Sequence, residues 1–443
     1  MEPLVDRLWQ RFGAIDASDL PNAVRTVAQQ CALDWFGCAL AGSREPVARI
    51  LRDELGDGAG PASVVGTDRR LGVLHAALVN GAAGHALDFD DTNIVMGGHP
   101  TAPVLPAALA LAEERGATGA DLLVSLVVGI EVESRLGVAL GPAHYARGWH
   151  TTSTVGVVGA AAACSRLLGL DAEQASRAMA IAASQSSGLK ANFGTMTKPF
   201  HAGHAAERGL LAARLAARGF TADPAALGSE QGLAQAAGDG HLDRDRLARY
   251  DDGWITPQTL FKYHAACYLT HAAIEAASAL RTEIGDQAID AVVVTVHPSL
   301  LDVCAIPRPA TGLEAKFSLA ATTALALLGA DTTDVATFSD QTATDPAVVD
   351  LVGRVSVETD PAVRSTASRV EVRTASGTLE RAHDTGVPAT DLAAQGARLR
   401  SKFLALAAPV VGTASAERLA HDVAGLAELP DVRGLVPVPQ PVS

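Results

Sequence analysis

The sequence predicts a mainly α-helical protein with a large all-helical domain and a smaller α+β domain. Hydrophobic residues make up 48% of the chain but aromatic residues only 4%, and a core of small aliphatic side chains is typical of closely packed helices. Apolar residues recur at helical spacing through most of the first 265 residues. From about residue 288, β-branched runs alternate with polar residues, which is the period of strands.

The change in pattern also predicts where the domains end. At 443 residues the chain is longer than one domain usually is. We place the all-helical domain at residues 1–265 and the α+β domain at 266–404, and we expect residues 405–443 to pack back on the first domain. The predicted strands are AVVVTVHP, GRVSVET and SRVEVRTASGTLE.

The charge and the cysteine pattern exclude several classes of protein. The net charge is −14 and the isoelectric point is about 5.4, so we expect neither nucleic acid nor a membrane as a partner. An anionic substrate then needs a local cationic pocket. The start MEPLVDRLWQ lacks the pattern of a secretion signal, and the five cysteines form no CxxC pair. We therefore expect a reduced, cytoplasmic protein.

Residues 85–113 contain a cluster of acidic and histidine side chains between two apolar helical runs, in the stretch HALDFDDTNIVMGGHPTAPVLPAALALAE. It predicts a helix, an acidic bend and a second helix. Thr101 can cap the second helix and Pro103 falls in its first turn, so His99 lies beside a positive helix N-terminus. Such a place suits an anion.

Two more predicted helices begin beside basic groups. His150 stands just ahead of a Thr/Ser cap, and Pro199 puts Lys198 and His201 in the first turn of a helix that ends at Gly219. One cation at a helix start is common and carries no function by itself. Three such positions, where cations are electrostatically disfavoured, indicate a site for a multiply anionic ligand.

Other interpretations of these residues stay open on sequence alone. Asp88, Asp90 and Asp91 fit a solvated helix end or a magnesium site. No second acidic cluster accompanies them and the histidines lack a compact ligand spacing, so we expect no metal and no cofactor. Lys198 and Lys262 are two of only five lysines against thirty arginines. A lysine kept at a motif can lose its proton when desolvated, whereas arginine effectively cannot.

Five stretches resemble the MmgE/PrpD family, in the same order and over nearly the whole chain. The family includes 2-methylcitrate dehydratase, cis-aconitate decarboxylase and iminodisuccinate epimerase. The resemblance implies a helical domain, a smaller α+β lid domain, no metal, and usually a homodimer. The stretches are HALDFDDT, HPTAPVLPAALALAE, GWHTTSTVGVVGAAAA, KPFHAGHAAERG and AKFSLAATTALALLG.

The resemblance also implies an active site. Decarboxylase-like members carry a tyrosine that would align near Ala321, a stretch in which this chain has none, which disfavours decarboxylation of cis-aconitate. His271, which the helical run around it would otherwise assign to the core, becomes a site residue. The positions carried over from the family are Asp88, Thr92, His99, His150, Lys198 and His271.

We therefore expect a cofactor-free lyase that acts next to a carboxylate of a small di- or tricarboxylate, of the 2-methylcitrate dehydratase type. Such chemistry needs a base, an acid and cations for the developing charge. The alternatives are a dicarboxylate epimerase of the iminodisuccinate type, a cis-aconitate-type decarboxylase, a member that only binds a ligand, and a metal-dependent enzyme.

Each candidate residue has an expected role. His150 and Lys198 are the acid/base pair, in either order, and His99 binds or polarises a carboxylate. Asp88 orients a histidine in its useful tautomer. The predicted substrate-binding residues are Thr92, His201, Lys262 and His271.

Overall fold

The protein is described by a computed structural model, which covers residues 2–56 and 59–439. The chain folds into two compact units. The first is formed by residues 1–261 and 390–443, and the second by residues 262–389. The predicted mainly α fold class is confirmed, because helices far outnumber strands among the described elements of the chain.

The first unit is built from helices and one very short hairpin. Strands β1 (Ala62–Ser63) and β2 (Arg70–Leu71) pair antiparallel, so the expectation of an all-helical domain was wrong in this detail. The helices are α1 Leu4–Phe12, α2 Asn22–Gly42, α3 Pro46–Leu55, α4 Val73–His85, α5 Thr101–Arg115, α6 Gly119–Ala146, α7 Thr151–Thr154, α8 Gly156–Leu168, α9 Ala172–Ala183, α10 Thr197–Ala217, α11 Leu233–Ala237, α12 Arg244–Ala248, α18 Leu392–Val411 and α19 Thr413–Ala424.

Helices α4, α5, α8 and α10 form the centre of this unit and pack against one another. Helix α5 is buried from Thr101 to Glu113 and α8 from Gly156 to Ser165. A helix that is apolar on all sides belongs inside a protein. Small residues make this packing possible, since alanine and glycine let helix axes approach closely.

Helices α4 and α10 meet through two glycines. A Cβ added at Gly81 would lie 2.7 Å from the Cα of Gly203, and one added at Gly203 would lie 2.1 Å from the carbonyl oxygen of Leu78. No side chain fits at either position. This contact brings the C-terminal end of α4, at His85, beside the N-terminal turns of α10, where Lys198 lies.

The second unit contains both helices and strands. Its four-stranded sheet has the order β4-β3-β5-β6, with β3 parallel to β4 and the other neighbours antiparallel. Val292, Val294 and Val296 of β3 are buried, which reproduces the alternation seen in the sequence. The elements are α13 Tyr268–Ile284, β3 Ile289–Val296, α14 Gly312–Ala315, α15 Leu319–Leu327, α16 Asp340–Ala343, α17 Pro346–Val352, β4 Val355–Thr359, β5 Ala367–Thr374 and β6 Gly377–Asp384.

The second unit ends at residue 389, earlier in the chain than the sequence predicted. The expected boundary at residue 404 falls within α18, and this helix belongs to the first unit. The reason is a buried ion pair, in which Lys402 Nζ lies 2.6 Å from Asp34 Oδ1 and donates a second hydrogen bond of 2.6 Å to the carbonyl oxygen of Phe89. No helix in the described part of the chain is long and apolar enough to cross a membrane.

We expect Gly203→Ala to destabilise the first unit, because its new methyl group would meet backbone atoms of α4 that cannot move aside. Overpacking of this kind costs about 1 to 3 kcal/mol. Gly72→Ala is the control, since nothing lies within 4 Å of a Cβ at that position. Thermal unfolding of both variants would measure the difference, and equal melting temperatures would contradict the proposed close contact.

Candidate active site

The bend between α4 and α5, residues 86–100, is held in shape by Asn93. The backbone N–H of Asn93 donates to the carbonyl of Gly98 at 2.8 Å, and its buried side-chain oxygen accepts from the N–H groups of Val95 and Met96 at 3.0 and 3.2 Å. Thr92 is tied to Leu260 by two backbone hydrogen bonds of 2.7 and 2.8 Å. The bend is therefore a fixed scaffold for the polar residues that precede and follow it.

Asp88 sits at the start of this bend in a left-handed conformation, with φ of 51°. Among the described residues it is the one non-glycine with positive φ, a conformation that aspartate tolerates better than most residues. Its carboxylate lies 2.8 Å from Lys198 Nζ and 3.7 Å from His99 Nε2. Lys198 and His99 are thus neighbours across one carboxylate, each with less than a sixth of its side chain exposed.

Asp90 lies deeper in the same bend and is fully buried. Its two oxygens are 3.0 and 2.9 Å from Nδ1 of His85, and Oδ2 is 3.4 Å from Nδ1 of His99. The His99 Nδ1 also lies 2.6 Å from the carbonyl oxygen of Asp91. The rings of His85 and His99 meet edge to face at 4.6 Å.

His150 joins this group from the segment that precedes α7. Its ring stacks on that of His85 at 5.8 Å and meets the edge of Phe193 at 5.0 Å. Nδ1 of His150 shares a hydrogen bond of 3.2 Å with Nδ1 of His201. The cation of Lys198 lies 5.3 Å from the ring of Phe193, so the same aromatic side chain borders both candidate acid/base groups.

The protonation states differ sharply between neighbouring groups. Burial holds the pKa of His150 far below its ordinary value, and repulsion from the nearby ionisable bases His85, Lys198, His99 and His201 adds to the effect. Burial lowers the pKa of His85 to about 4, although the Asp90 carboxylate partly opposes this. Burial alone would raise the pKa of Asp90, but the imidazoles around it hold that pKa well below its usual range. Near neutral pH, His150 and His85 are neutral and Asp90 is an anion.

The N-termini of α5 and α7 are less available to an anionic ligand than the sequence predicted. Thr101 does not cap α5; instead its hydroxyl donates to the carboxyl of Asp91, which also accepts from the Thr101 backbone N–H at 3.3 Å. His150 precedes a single helical turn, α7, so little helix dipole acts on it. Lys198 and His201 do lie in the first turns of a long helix, α10.

Two predicted site residues belong to the second unit. His271 is buried in α13, where its Nε2–H donates to the carbonyl of Ala266 at 3.2 Å, and burial holds its pKa well below the ordinary value. Its ring contacts His264 at 5.0 Å and Tyr268 at 5.3 Å. Lys262 is buried as well. Their expected roles in substrate binding remain predictions.

In the first unit, the structure brings together most of the residues singled out from the sequence. Thr92 donates its hydroxyl to the Gly98 carbonyl at 3.3 Å, within the bend. His85 was not singled out from the sequence, and Asp90 was considered only as part of a solvated helix end or a magnesium site. A histidine on the last turn of a helix, five residues before a buried acid, could have been recognised as an i, i+5 pair across the bend. The residues gathered are Asp88, His99, His150, Lys198 and His201, together with His85 and Asp90.

Comparison with known proteins agrees with the resemblance seen in the motifs. The MmgE/PrpD N-terminal domain matches residues 9–244, and the MmgE/PrpD C-terminal domain matches residues 264–426. The chain belongs to the MmgE/PrpD family. Its bend between α4 and α5, its His150 segment and the start of α10 all fall within the N-terminal match.

The curated relatives of this MmgE/PrpD protein include several cis-aconitate decarboxylases. The human enzyme is 38% identical over 231 residues, 49% of this chain and 46% of the relative. The Aspergillus terreus enzyme is 31% identical over 279 residues, 59% of this chain and 57% of the relative. The chain thus spans about half the length of the curated relatives it matches. These relatives are lyases, which agrees with the expected class of reaction.

One reason for expecting no metal was wrong. The bend gathers His85, Asp88, Asp90 and His99 so that one ligand atom from each lies within 4.8 Å of the others, a spacing that could hold a metal ion. The sequence hides this because the four residues are brought together by the loop. However, the ammonium of Lys198 already lies 2.8 Å from Asp88, and a second cation there would be repelled.

We still expect this MmgE/PrpD protein to need no metal. Dialysis against a strong chelator should leave turnover unchanged, because Lys198 supplies the positive charge that Asp88 faces. Lost activity that returns when a divalent ion is added would contradict this and would assign the four residues as ligands. Metal analysis of the dialysed protein is the control, since it shows that the ion was removed.

Proposed function

We propose that this MmgE/PrpD protein is a cofactor-free lyase that acts next to a carboxylate of a small di- or tricarboxylate. The observation that carries the proposal is a neutral histidine, His150, in one cluster with the ammonium of Lys198 and the imidazole of His99. A base, a cation and a hydrogen-bonding imidazole are the three groups that proton removal next to a carboxylate requires.

His150 is the proposed base. A base must be unprotonated to act, and burial, aided by the nearby ammonium of Lys198, lowers the pKa of this imidazole and keeps it neutral. Because Nδ1 shares a hydrogen bond with His201, we assign proton transfer to Nε2. His201 then supports His150, which is a different use from the direct substrate contact that the sequence predicted.

Lys198 and His99 are proposed to hold the substrate carboxylate and the enolate-like charge that forms when the proton leaves. Their polar atoms face a shared carboxylate, Asp88, which keeps the two groups a few ångströms apart. A substrate carboxylate would replace Asp88 as the partner of Lys198 and His99. Lys198 can also return a proton to carbon or to a leaving hydroxyl, which arginine could not do.

The bond that breaks is the finer part of the proposal. In a dehydratase of the 2-methylcitrate type, His150 takes the proton on carbon and the hydroxyl on the next carbon leaves as water with a proton from an acid. In a decarboxylase, CO2 leaves and an acid protonates the carbon. We favour dehydration because the stretch around Ala321, which is buried in α15, contains no tyrosine, whereas the family resemblance implies one near this position in decarboxylase-like members. The names of the curated relatives favour decarboxylation as the second candidate.

An epimerase would use the same groups but return the proton to the opposite face of the same carbon. It remains the alternative outside the lyase class. The homodimer and the lid role of the second unit are further proposals that rest on the family resemblance alone, and the cytoplasmic location is a proposal that rests on the cysteine pattern.

We expect His150→Ala and Lys198→Ala each to lower kcat by about a hundredfold or more, the usual scale for a positioned acid or base. Lys190→Ala is the control. Its ammonium donates to the carbonyl of Tyr145 and stacks on the Tyr145 ring, away from the cluster. Circular dichroism would show that the variants remain folded, and steady-state kinetics would measure the loss.

The variant Lys198→Arg separates proton transfer from fixed charge. We expect it to be nearly as inactive as Lys198→Ala, because a guanidinium keeps its proton. Full activity in Lys198→Arg would mean that Lys198 only binds a carboxylate.

We also expect the substrate to carry at least two carboxylates, because Lys198 and His99 offer more positive potential than one carboxylate needs. Citrate-like, aconitate-like and aspartate-like acids should be tested first, with product mass distinguishing loss of water from loss of CO2. In deuterated water, an epimerase would add deuterium at one carbon without losing any group. Equal turnover of a monocarboxylic ester would refute the polycarboxylate pocket.

A further inference from the structure

We propose that Asp90 and His85 form a buried positioning pair that fixes His99 in one tautomer, with the proton on Nδ1 and with Nε2 turned toward Asp88. Neither residue touches the proposed substrate position directly, so both would act through His99. The inference deepens the proposed function and rests on it for its catalytic meaning, but its geometry can be tested without any substrate.

The proton on His99 is located by its acceptors. The atom nearest to Nδ1 is the carbonyl oxygen of Asp91 at 2.6 Å, and a carbonyl oxygen can only accept. Nδ1 must therefore carry the hydrogen. Oδ2 of Asp90, at 3.4 Å from the same nitrogen, adds a negative charge that favours this arrangement. With Nδ1–H held in this way, Nε2 is the nitrogen on the side of Asp88, and a proton bound there would be donated to a carboxylate, of Asp88 or of a substrate.

His85 holds Asp90 in place by donating a hydrogen bond to it. The anionic oxygens of Asp90 can only accept, so Nδ1 of His85 donates to them at 3.0 and 2.9 Å. Nε2 of His85 is buried and has no hydrogen-bond partner in the described structure. His85 thus makes hydrogen bonds only through Nδ1, and only to Asp90. This fits a residue that positions Asp90 better than one that transfers a proton.

A buried carboxylate is costly unless it is paired and hydrogen-bonded. Asp90 is fully buried and is shared between two imidazoles of the candidate site. An apolar residue of similar size would fill this place at less cost, so stability alone does not account for Asp90. Holding the orientation of a histidine is a use for which carboxylates are well suited, because the hydrogen bond selects the tautomer.

The isosteric change Asp90→Asn tests this directly. The amide can keep its bond from His85 through Oδ1, but its NH2 group would then face Nδ1 of His99 and would favour an acceptor there. The Asp91 carbonyl would still accept from Nδ1, so we expect the His99 proton to be shared between the two nitrogens, with a smaller fraction of Nδ1–H than in the wild type. Loss of a comparable orienting carboxylate in serine proteases lowers kcat by about ten-thousandfold, so we expect at least a hundredfold loss here with a smaller change in KM.

The tautomer would be measured by long-range proton–nitrogen NMR on the full protein labelled with 15N-histidine, with the His99 signals assigned by their loss in His99→Gln. Asp91→Asn is the matched control for the tautomer. It changes an equally buried neighbouring carboxyl, one whose bonds go to Thr101, and keeps the backbone carbonyl that His99 uses. We expect the Nδ1–H tautomer in wild type and in Asp91→Asn, and a smaller fraction of it in Asp90→Asn.

Two variants of His85 complete the test if Asp90→Asn does not fold. His85→Asn can still donate an N–H to Asp90 and should retain the tautomer and more of the kcat than His85→Leu, which cannot donate. An unchanged Nδ1–H tautomer in Asp90→Asn, or equal kcat in His85→Leu and wild type, would overturn the positioning pair. If no polycarboxylate is turned over but the tautomer shifts as expected, the proposed function fails and the pair stands.

Discussion

The contact between Gly81 and Gly203 is the constraint on which the candidate site depends. Helices α4 and α10 approach so closely that a Cβ on either glycine would meet backbone atoms of the other helix. His85 lies four residues beyond Gly81, and Lys198 five residues before Gly203. The close approach therefore delivers one end of each helix to the same place. Side chains of ordinary size at this crossing would separate the helices by more than the hydrogen bonds of the site can span.

A second constraint fixes the bend that closes the site. Lys402 of α18 pairs with Asp34 of α2 and also donates to the carbonyl of Phe89, which lies between Asp88 and Asp90. Its ammonium further rests 3.9 Å from the ring of Phe89. A buried charge needs such complete pairing to be tolerated. This explains why a helix from the end of the chain belongs to the first unit, a connection that no local sequence pattern reveals.

Local patterns predicted the parts of the site that depend on local structure. His99, Lys198 and His201 were found because proline and glycine mark helix ends, and these features are set within a few residues. The roles of His85 and Asp90 were not predicted because they come from burial and from the shape of the bend. The Thr101 cap was predicted wrongly for a related reason. Asp91, which lies ten residues before Thr101, accepts from the first backbone N–H of that helix instead. Asn93 sets the shape of the turn that brings Asp91 there.

The supporting interactions also explain how an acidic protein can present positive groups to an anion. Asp90 and Asp91 are adjacent and equally buried, yet their charges differ. Burial and the nearby Asp34 raise the pKa of Asp91 to about 8, while two imidazoles keep Asp90 ionised. Burial likewise raises the pKa of Glu133 well above its usual range. Two of the carboxyls behind the bend, Asp91 and Glu133, are therefore neutral near pH 7, whereas Asp34 faces Lys402 and Asp90 faces histidines. The carboxylate shared by Lys198 and His99 is Asp88, whose side chain is 44% exposed and which a substrate carboxylate would displace in the proposed reaction. Positive potential at the site thus results from neutralising the acids around it, and only one carboxylate has to yield to the substrate.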